Sequence, residues 1–461
     1  MDVISYANIV VSGFPFQRIL SLSIEHRPNE HGMAEIVGEI RPDTAQDIVR
    51  RVDERTDVEI TTTAEGQPEK LFYGCVQSLA MEQENDYSRI TLKLSAVSRR
   101  TDVTRKKKSF QKTTDTYKKI LSEVFSADAE LDVKVQDESI GKLVVQYDET
   151  GWEFAKRMAS RLHAPLLADI VSSKPYIYVG MPPSQRSVPV ESRSFSYGSD
   201  VSSYSAVSGA MVQDFSGEWV ESDQYACIGD TISLNGKTAC IRSVRAVLRD
   251  GIMHMCYEIL GAADRIAGIA APESDSRAAG RMLRGRVLEV SKDKVQVQLV
   301  DIDGDEERKG DWWFPFSTAY SSGDGSGWYC MPEVKDEVRV IFPSGDEGDA
   351  FVASSVCACP PKDPKHKSWR APGGKEILLT EEGMYIIGKS GKIYINLTDE
   401  AGVEILSDKG INLSAGKDIN IIASDAVSVV AKNQITVGTE GAYLTLTKKS
   451  ATLAADQVLI N

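Results

Sequence analysis

The chain has 461 residues, of which 42% are hydrophobic, and it carries a formal net charge of −14. This length predicts several domains with real cores, and the acidic balance argues against general binding to nucleic acid or to anionic membranes. Seven irregularly spaced cysteines do not indicate a disulfide framework, and with no signal peptide or long apolar run we expect folding and assembly in the cytoplasm.

Residues 1–100 are predicted to form a first β-barrel. Six segments alternate apolar and polar residues, which is typical of strands with one buried face. Turn-forming residues separate them at Arg27–Glu30 and at Glu65–Pro68. The six segments are VISYANIVV, RILSLSIEH, MAEIVGEI, DVEITTT, KLFYGCVQSL and RITLKLSAVS.

Residues 101–187 are predicted to form a small α/β insert. The basic run Arg105–Lys108 is either a solvated loop or a contact for an acidic partner. Apolar residues at helical spacing predict a helix over Thr114–Phe125, with Thr114 as its N-cap, and a second helix over Glu149–Leu162. A strand at Gly141–Tyr147 precedes the second helix. Its aromatic face is interpreted as core rather than as cofactor contacts, and its members are Trp152, Phe154, Ala155, Met158 and Leu162.

Strand patterns return over residues 188–266 and predict a second β-barrel. They include Ile228–Ile232, Arg242–Val244 and Met253–Tyr257. Residues 267–280 are rich in Ala, Gly, Ser and Pro, which indicates a linker.

Residues 281–359 are predicted to form a five-stranded barrel of the oligonucleotide/oligosaccharide-binding (OB) type. Its strands are GRVLEV, KVQVQLVDI, WWFPF, EVRVIF and AFVASSV, with an acidic turn at Asp301–Asp305. OB barrels often bind single strands through a basic groove with exposed aromatics. Tryptophans are present, but the loops are acidic or rich in Gly and Ser, so no nucleic-acid partner is expected. Residues 360–374 form a Pro- and Lys-rich connector.

Residues 375–461 contain an eight-residue repeat. From Val403 the blocks are VEILSDKG, INLSAGKD, INIIASDA, VSVVAKNQ and ITVG, and each opens with two apolar residues flanking one other residue. Residues i and i+2 of a strand share a face, so each block turns one apolar pair inward. The predicted core residues are Val403, Ile405, Ile411, Leu413, Ile419, Ile421, Val427, Val429, Ile435 and Val437. Looser copies flank them at Ile377/Leu379, Met384/Ile386, Ile393/Ile395, Leu444/Leu446, Ala451/Leu453 and Val458/Ile460.

Strands this short cannot enclose a core within one chain, because stacked repeats must find a neighbour to bury their apolar faces. A monomer exposing such a stripe would aggregate along its unpaired edges. Three copies wound around one axis pair every edge and bring the apolar pairs together. We therefore expect a trimeric β-prism that forms a stiff needle. The alternative is an ordinary single-chain β-sandwich of short strands.

Residues suited to catalysis or metal binding are few. The five histidines stand in no HExxH, triad or zinc-finger setting, and Ser344 is not in a nucleophile elbow. Cys357, Cys359 and His366 could ligate a metal, but one residue between the cysteines is a weak spacing, so unpaired or packed thiols are the preferred interpretation. We expect an assembly component without cofactors rather than an enzyme.

The order of parts resembles the VgrG/phage baseplate hub-and-spike family of contractile injection systems. The motifs that carry the resemblance are Val145–Phe154 with the helix after it, Trp313–Phe316, Gly327–Tyr329 with Met331-Pro332, and Asp336–Val340 with Phe342 and Gly345-Asp346. The resemblance implies structural roles in an OB collar around a three-fold axis. We carry over as packing residues Trp313, Pro315, Trp328, Pro332, Val338 and Phe342.

The resemblance also implies a fold class, partners and a location. The fold would be mainly β: paired hub barrels with an α/β insert, an OB barrel, and an intertwined triple-stranded β-helix in a homotrimer. Three chains would join a hexameric, Hcp-like inner tube to a cell-puncturing needle, contact baseplate proteins and carry effector cargo. The particle would assemble in the cytoplasm and then be released or ejected.

Two departures from the family matter. Val-Gly dipeptides are sparse in the octads, where Val437-Gly438 is the one clear instance, and the chain ends without a His-x-His motif or an appended effector. A separate PAAR-type tip protein is therefore expected. The main rival function is a phage tailspike that binds or cleaves glycans, which predicts aromatic-rich loops and paired carboxylates on the needle. The needle's aromatics are only Tyr385, Tyr394 and Tyr443.

Overall fold

The computed structural model separates the chain into two compact units, Met1–Ala358 and Cys359–Asn461. No helix within the described ranges is long and apolar enough to cross a bilayer. The structure describes residues 3–64, 66–84, 86–189, 195–199, 216–234, 237–261, 276–304, 310–389 and 391–459.

All six N-terminal segments predicted as strands contribute strands, although the first narrows to three residues behind a short 3-10 turn, Tyr6–Asn8. Strands β3 and β4 alternate buried and less buried side chains, and β2 does so after a bulge at Leu20 and Ser21. Of the second predicted turn, Glu65 lies outside the described residues. The strands are β1 (Ile9–Val11), β2 (Arg18–His26), β3 (Met33–Ile40), β4 (Asp57–Thr62), β5 (Glu69–Glu84) and β6 (Tyr87–Ala96).

A helix, α1 (Pro42–Arg51), lies between β3 and β4 and was not predicted. Pro42 occupies the first helical turn, where its missing N–H costs nothing. Only Ala45 and Ile48 are buried on α1, so its apolar stripe is too narrow to stand out in the sequence.

The insert packs two helices against short strands. β7 pairs with β9 antiparallel, while β11 joins β10 antiparallel and β8 parallel. The predicted aromatic face is confirmed as core: Trp152, Phe154, Ala155 and Met158 are buried, and Leu162 packs against them. The elements are β7 (Lys106–Phe110), α2 (Tyr117–Phe125), β8 (Glu130–Val133), β9 (Val144–Glu149), α3 (Gly151–Arg161), β10 (Leu166–Ala168) and β11 (Tyr176–Val179).

The strands assigned to the second barrel continue the sheet of the first. β2 pairs antiparallel with β16, with His26 opposite Val244. The result is one twelve-stranded sheet over a single core, with β12 and β15 beside the main path β1-β4-β5-β6-β3-β2-β16-β17-β14-β13. The remaining strands are β12 (Ser187–Pro189), β13 (Phe195–Ser199), β14 (Ser216–Ser222), β15 (Thr231–Leu234), β16 (Lys237–Arg249) and β17 (Ile252–Gly261).

Most of the predicted linker, residues 267–275, lies outside the described residues. Its described end is packed, since Ser276 and Ala278 are buried.

The OB unit contains all five predicted strands in the order β20-β19-β18-β21-β22. A parallel bridge between Phe316 and Val352 joins the two outer strands, which is the closure of a five-stranded barrel. A short helix replaces the predicted acidic turn, of which Asp305 lies outside the described residues. The elements are β18 (Met282–Ser291), β19 (Lys294–Leu299), α4 (Val300–Asp303), β20 (Trp313–Pro315), β21 (Glu337–Ile341) and β22 (Phe351–Ser355).

The second unit contains two antiparallel meanders. The first has five strands and the second has three. The residues between them are in neither helix nor strand. The strands are β23 (Lys367–Ala371), β24 (Lys375–Leu379), β25 (Gly383–Lys389), β26 (Ile393–Thr398), β27 (Gly402–Ser407), β28 (Gln434–Gly438), β29 (Tyr443–Thr447) and β30 (Ala451–Ala454).

Candidate functional site: the apolar octads and the insert–OB joint

The apolar pairs of the octads lie open on the single chain. Nine of the ten predicted needle-core residues expose between 53% and 73% of their surface, and Ile435 is half-buried. A stripe of this length exceeds the scattered apolar residues normal for a soluble surface.

The backbone of the central octads is equally open. Residues 410–433, all described, belong to no strand and form no backbone hydrogen bond with another described residue. Their N–H and C=O groups are available to pair with another chain. The flanking repeats differ, since Val403 and Ile405 lie in β27, which pairs with β26 of the same chain.

The six OB residues predicted to pack do not share one environment. Val338 and Phe342 are fully buried in the barrel core and Pro332 is buried, whereas Trp313 is half-buried. Pro315 and Trp328 are exposed on the single chain. Phe314, between Trp313 and Pro315, is the residue of that strand that fills the core. Packing of the exposed pair around a three-fold axis stays a prediction.

The insert and the OB barrel meet at a buried ion network, which we call the insert–OB joint: Glu149, Arg157, Arg161 and Glu347. Arg157 of α3 donates two hydrogen bonds to Glu149, at 2.9 and 2.7 Å, and one to Glu347 at 2.6 Å. Arg161 donates to the other oxygen of Glu347 at 2.7 Å. Two cations and two anions cancel, which is the condition for burying them.

Burial and the neighbouring carboxylates have opposite effects on the pKa of Arg157. Its side chain is only 2% exposed, and burial alone would lower the pKa of its guanidinium. The hydrogen bonds that Arg157 donates to Glu149 and the negative charge of Glu347 outweigh burial and raise that pKa. Arg157 therefore stays charged, and its planar fork holds two carboxylates from distant parts of the chain.

Three polar contacts extend the joint along the OB barrel. Lys142 pairs with Asp346 at 2.5 Å, next to Glu347. The Ser109 backbone N–H donates to the Asp303 carboxylate at 2.9 Å, and Gln111 donates to the Val297 carbonyl at 3.1 Å. These polar contacts accompany apolar ones, since Leu143 and Val145 of the insert are buried in the core of the OB barrel.

The Val145–Phe154 motif builds the insert side of this joint. The Thr150 hydroxyl caps α3 by accepting a hydrogen bond from the Glu153 backbone N–H at 3.1 Å. The Glu153 carboxylate in turn accepts one from the Thr150 backbone N–H at 3.0 Å. Gly151 lies against Phe125 and Thr101, where an added Cβ would stand only 3.3 Å from each. The motif's residues therefore have direct structural roles in starting the helix that carries Arg157.

The basic run is not a solvated loop, because it forms most of β7. Arg105 pairs with Glu153 at 3.1 Å, and the ammonium of Lys107 lies 4.7 Å from the Tyr147 ring centroid. The acidic partners of the other two are also in the insert: Lys106 pairs with Asp128 and Lys108 with Glu123.

A Ser–His–Asp arrangement occurs at His31, a residue that no sequence motif had indicated. His31 Nδ1 lies 2.9 Å from Ser98 Oγ, and its Nε2 lies 3.4 Å from Asp102. Ser98 is fully buried, and His31 is stacked on Trp152, with 4.1 Å between ring centroids. A buried hydroxyl cannot reach a substrate, so this group acts as a packing contact between the hub sheet and α3.

A metal site at Cys357, Cys359 and His366, considered above as the less favoured alternative, has no support among the described residues. No cluster there contains three or more His, Cys, Asp or Glu side chains positioned to hold an ion. Cys357 and Cys359 are exposed free thiols.

Residues 283–356 match the family described as the type VI secretion system/phage-baseplate injector OB domain. A comparison with curated proteins found no relative of the chain. The matched range coincides with the OB barrel observed here.

Two solved structures share the wider fold. The first is the E. coli c3393 protein, described as a type VI secretion component with similarity to the T4 tail proteins gp27 and gp5. It matches with a TM-score of 0.53 and 15% identity over 76% of this chain and 99% of that one. The second is a chain of the Francisella PdpA–VgrG complex in its half-lidded form. It matches with a TM-score of 0.52 and 9% identity, over 86% of this chain and 87% of that one.

The resemblance drawn from the sequence is confirmed. Residues 283–356 match the injector OB domain of type VI secretion systems and phage baseplates, and 76% and 86% of the chain share the fold of the c3393 and VgrG chains, respectively.

Proposed function

We propose that three copies of this chain form the structural spike and hub of a contractile injection system. One combination of features carries the proposal: a match to the injector OB domain and exposed apolar octads occur in the same chain, and the central octads, residues 410–433, form no backbone hydrogen bond with another described residue. The hub fold joins a tube, the OB barrel forms a collar, and the octads braid into a needle.

The trimer follows from the energetics of the octads. Each inward side chain contributes roughly 1.5–3 kcal/mol when fully buried, as an upper estimate. In a closed prism every strand edge is paired, so the same association removes the exposed edges that favour aggregation. A prism of this kind resists load along its axis, as a puncturing needle requires.

The partners follow from that arrangement. The three hubs would dock onto a hexameric, Hcp-like tube and onto baseplate proteins, and the needle's end would bind a PAAR-type tip. Effector cargo is a further partner, and we assign no catalytic role. The particle would assemble in the cytoplasm before release or ejection. The type VI and phage-baseplate character of the OB family supports this proposal.

Light scattering coupled to size exclusion tests the proposal. One chain has a mass of 50.5 kDa, so a trimer has three times that mass, about 150 kDa. Negative-stain images should show a club with a thin shaft. A well-behaved species of one chain's mass would refute the proposal.

A further inference from the structure

A cavity of about 240 Å³ lies where the hub sheet meets the insert, and we call it the hub cavity. Its walls come from β2 and β5 of the sheet, from β11 and the turn after β10, and from the segments that precede β12 and β15. Leu167, Ile170 and Ile228 give it an apolar wall, and all three are buried. An apolar cavity of about 150 Å³ is enough to hold benzene, so the hub cavity has room for a ring with a short chain.

His26 lines the hub cavity and has two polar atoms without a partner. The residue is only 6% exposed, yet neither ring nitrogen forms a hydrogen bond with a described residue. Burial lowers the pKa of His26 to about 4, although the nearby Ala168 backbone favours the proton, so the ring is neutral at pH 7 and one nitrogen is an acceptor. Buried polar groups are normally paired, so an unpaired acceptor beside a cavity favours a ligand that donates a hydrogen bond.

The charged side chains that line the hub cavity carry a net negative charge. They are three carboxylates and two cations, which sum to −1: Glu69, Asp169, Asp230, Lys70 and Arg186. Both cations are already paired, Arg186 with Glu69 at 2.6 Å and Lys70 with Glu59, outside the lining, at 2.7 Å. The charges of Asp169 and Asp230 are therefore left without a cation.

Asp169 is the carboxylate that can still accept a hydrogen bond. One of its oxygens accepts from the backbone N–H groups of Val171 and Ser172 at 2.8 and 2.9 Å, and no described residue donates to the other oxygen. Asp230 differs, because its two oxygens accept three backbone N–H groups between them. A cationic donor in the hub cavity would thus meet the second oxygen of Asp169.

Two other lining groups are affected by the same negative charge. Burial and then the charge of Asp169 raise the pKa of Tyr178 to about 12. Burial raises the pKa of the Cys227 thiol to about 11, and the charges of Asp230 and Asp169 add to that rise. The interior of the hub cavity therefore disfavours an anion and favours a cation.

We propose that the hub cavity binds a primary ammonium group carried on a short apolar stem. The ammonium N–H groups would donate to Asp169 and to the acceptor nitrogen of His26, and the stem would lie against the apolar wall. A free organic amine and a lysine side chain of another protein share this chemistry. The site lies within one hub and needs no second copy of the chain, so it is independent of the spike function proposed above.

Isothermal titration calorimetry on the full-length protein at pH 7 tests the charge preference. The probes have similar shapes and different charges: 2-phenylethylamine, 2-phenylethanol and phenylacetate. The amine should bind about tenfold more tightly than the alcohol, and phenylacetate should not bind. No binding of the amine at millimolar concentration, or equal binding of the amine and the alcohol, would overturn the proposal. Nα-acetyl-lysinamide distinguishes the sources, since tighter binding than the free amine would assign the site to a lysine side chain and weaker binding to a free amine.

Asp169→Asn tests the proposed contact. The variant keeps an oxygen that can accept from Val171 and Ser172 and removes the charge, so it should weaken binding of 2-phenylethylamine about tenfold and leave binding of 2-phenylethanol unchanged. Asp53→Asn is the matched control: Asp53 accepts from the Arg55 N–H at 3.0 Å in an exposed turn and does not line the hub cavity. Full affinity for the amine in Asp169→Asn, or equal losses in the two variants, would contradict the proposal.

Alkylation of Cys227 in the unmodified sequence gives a measurement that needs no variant. Cys227 lines the hub cavity, so saturating 2-phenylethylamine should slow its reaction with iodoacetamide. Mass spectrometry of the peptide that contains Cys227 gives the rate, and the exposed thiols of Cys330, Cys357 and Cys359 are internal references that should react at an unchanged rate. An unchanged rate at Cys227 would place the amine elsewhere and overturn the proposal.

Discussion

Arg157 in α3 and Glu347 in the OB barrel form a buried ion pair at 2.6 Å, although 190 residues separate them. The pair joins the Val145–Phe154 motif to the residues directly after Gly345-Asp346, two stretches that were singled out in the sequence for other reasons. The insert and the OB barrel are therefore fixed to each other by charge as well as by packing.

Replacing Glu347 by Gln should destabilise the protein strongly. The change leaves Arg157 and Arg161 with one buried carboxylate, Glu149, and loss of one partner of a buried pair costs about 3–5 kcal/mol. Guanidinium unfolding followed by tryptophan fluorescence measures the effect. Glu381→Gln, which breaks the exposed pair with Lys365, is the control and should cost less than about 1 kcal/mol. Equal effects of the two variants would contradict the assignment of the joint.

Replacing Ile419 and Ile421 by Asp should abolish the trimer. Six carboxylates would lie in the predicted core of the prism, where unpaired charges are very costly. Asn420→Asp adds charge at the outward position of the same octad and should leave the mass unchanged. Light scattering compares the two variants, and an intact trimer in the first would count heavily against the inward assignment.

Stability should fall in mild acid because two histidines are buried. Burial lowers the pKa of His26 to about 4, and burial, opposed by the Asp102 carboxylate, lowers the pKa of His31 to about 4. The unfolded chain takes up these protons near pH 6.5 and the folded chain near pH 4. The free energy of unfolding therefore decreases as pH falls through this window, by at most about 3 kcal/mol per histidine.

Unfolding at pH 7 and pH 5 measures that loss. His26→Leu should reduce the pH dependence, whereas His163→Asn, at an exposed position, should retain it. The same pH dependence in both variants would show that His26 is not one of the groups responsible.

Gly285→Ala should destabilise the OB barrel. An added Cβ would stand 2.3 Å from a Val297 methyl and 3.0 Å from a Val340 methyl, both in the barrel core. Overpacking of this kind costs about 1–3 kcal/mol. Gly323→Ala, where nothing lies within 4 Å, should change stability by less than about 0.5 kcal/mol. Thermal melts distinguish the two, and equal melting temperatures would contradict the prediction.

The sequence predicted the strands well because their buried and exposed positions alternate, as in β3 and β4. The prediction was wrong where neighbouring residues offered more than one structural interpretation. The N-cap of α2 is Thr116, which accepts from the Lys119 N–H, and the predicted Thr114 was wrong because three threonines precede the helix within four residues. The basic run was taken for a loop or a partner contact because its carboxylates lie elsewhere in the chain.

The candidate site was predicted in part. Its apolar pairs follow from the eight-residue period, but the period cannot distinguish blocks that pair within the chain from blocks that do not. The joint could not be predicted at all. Arg157 lies beside the apolar face of α3, and nothing local indicates that Glu347 would meet it.

The pairing of β2 with β16 has a consequence for dissecting the protein. A fragment ending near residue 100 would leave the backbone groups of Ser23–His26 without their strand partner. The complementary fragment would leave Val244–Val247 unpaired in the same way. Each fragment would have an unpaired edge strand that could pair with other chains and cause aggregation. The two halves of the hub should therefore melt together, and recombinant work should keep them in one polypeptide.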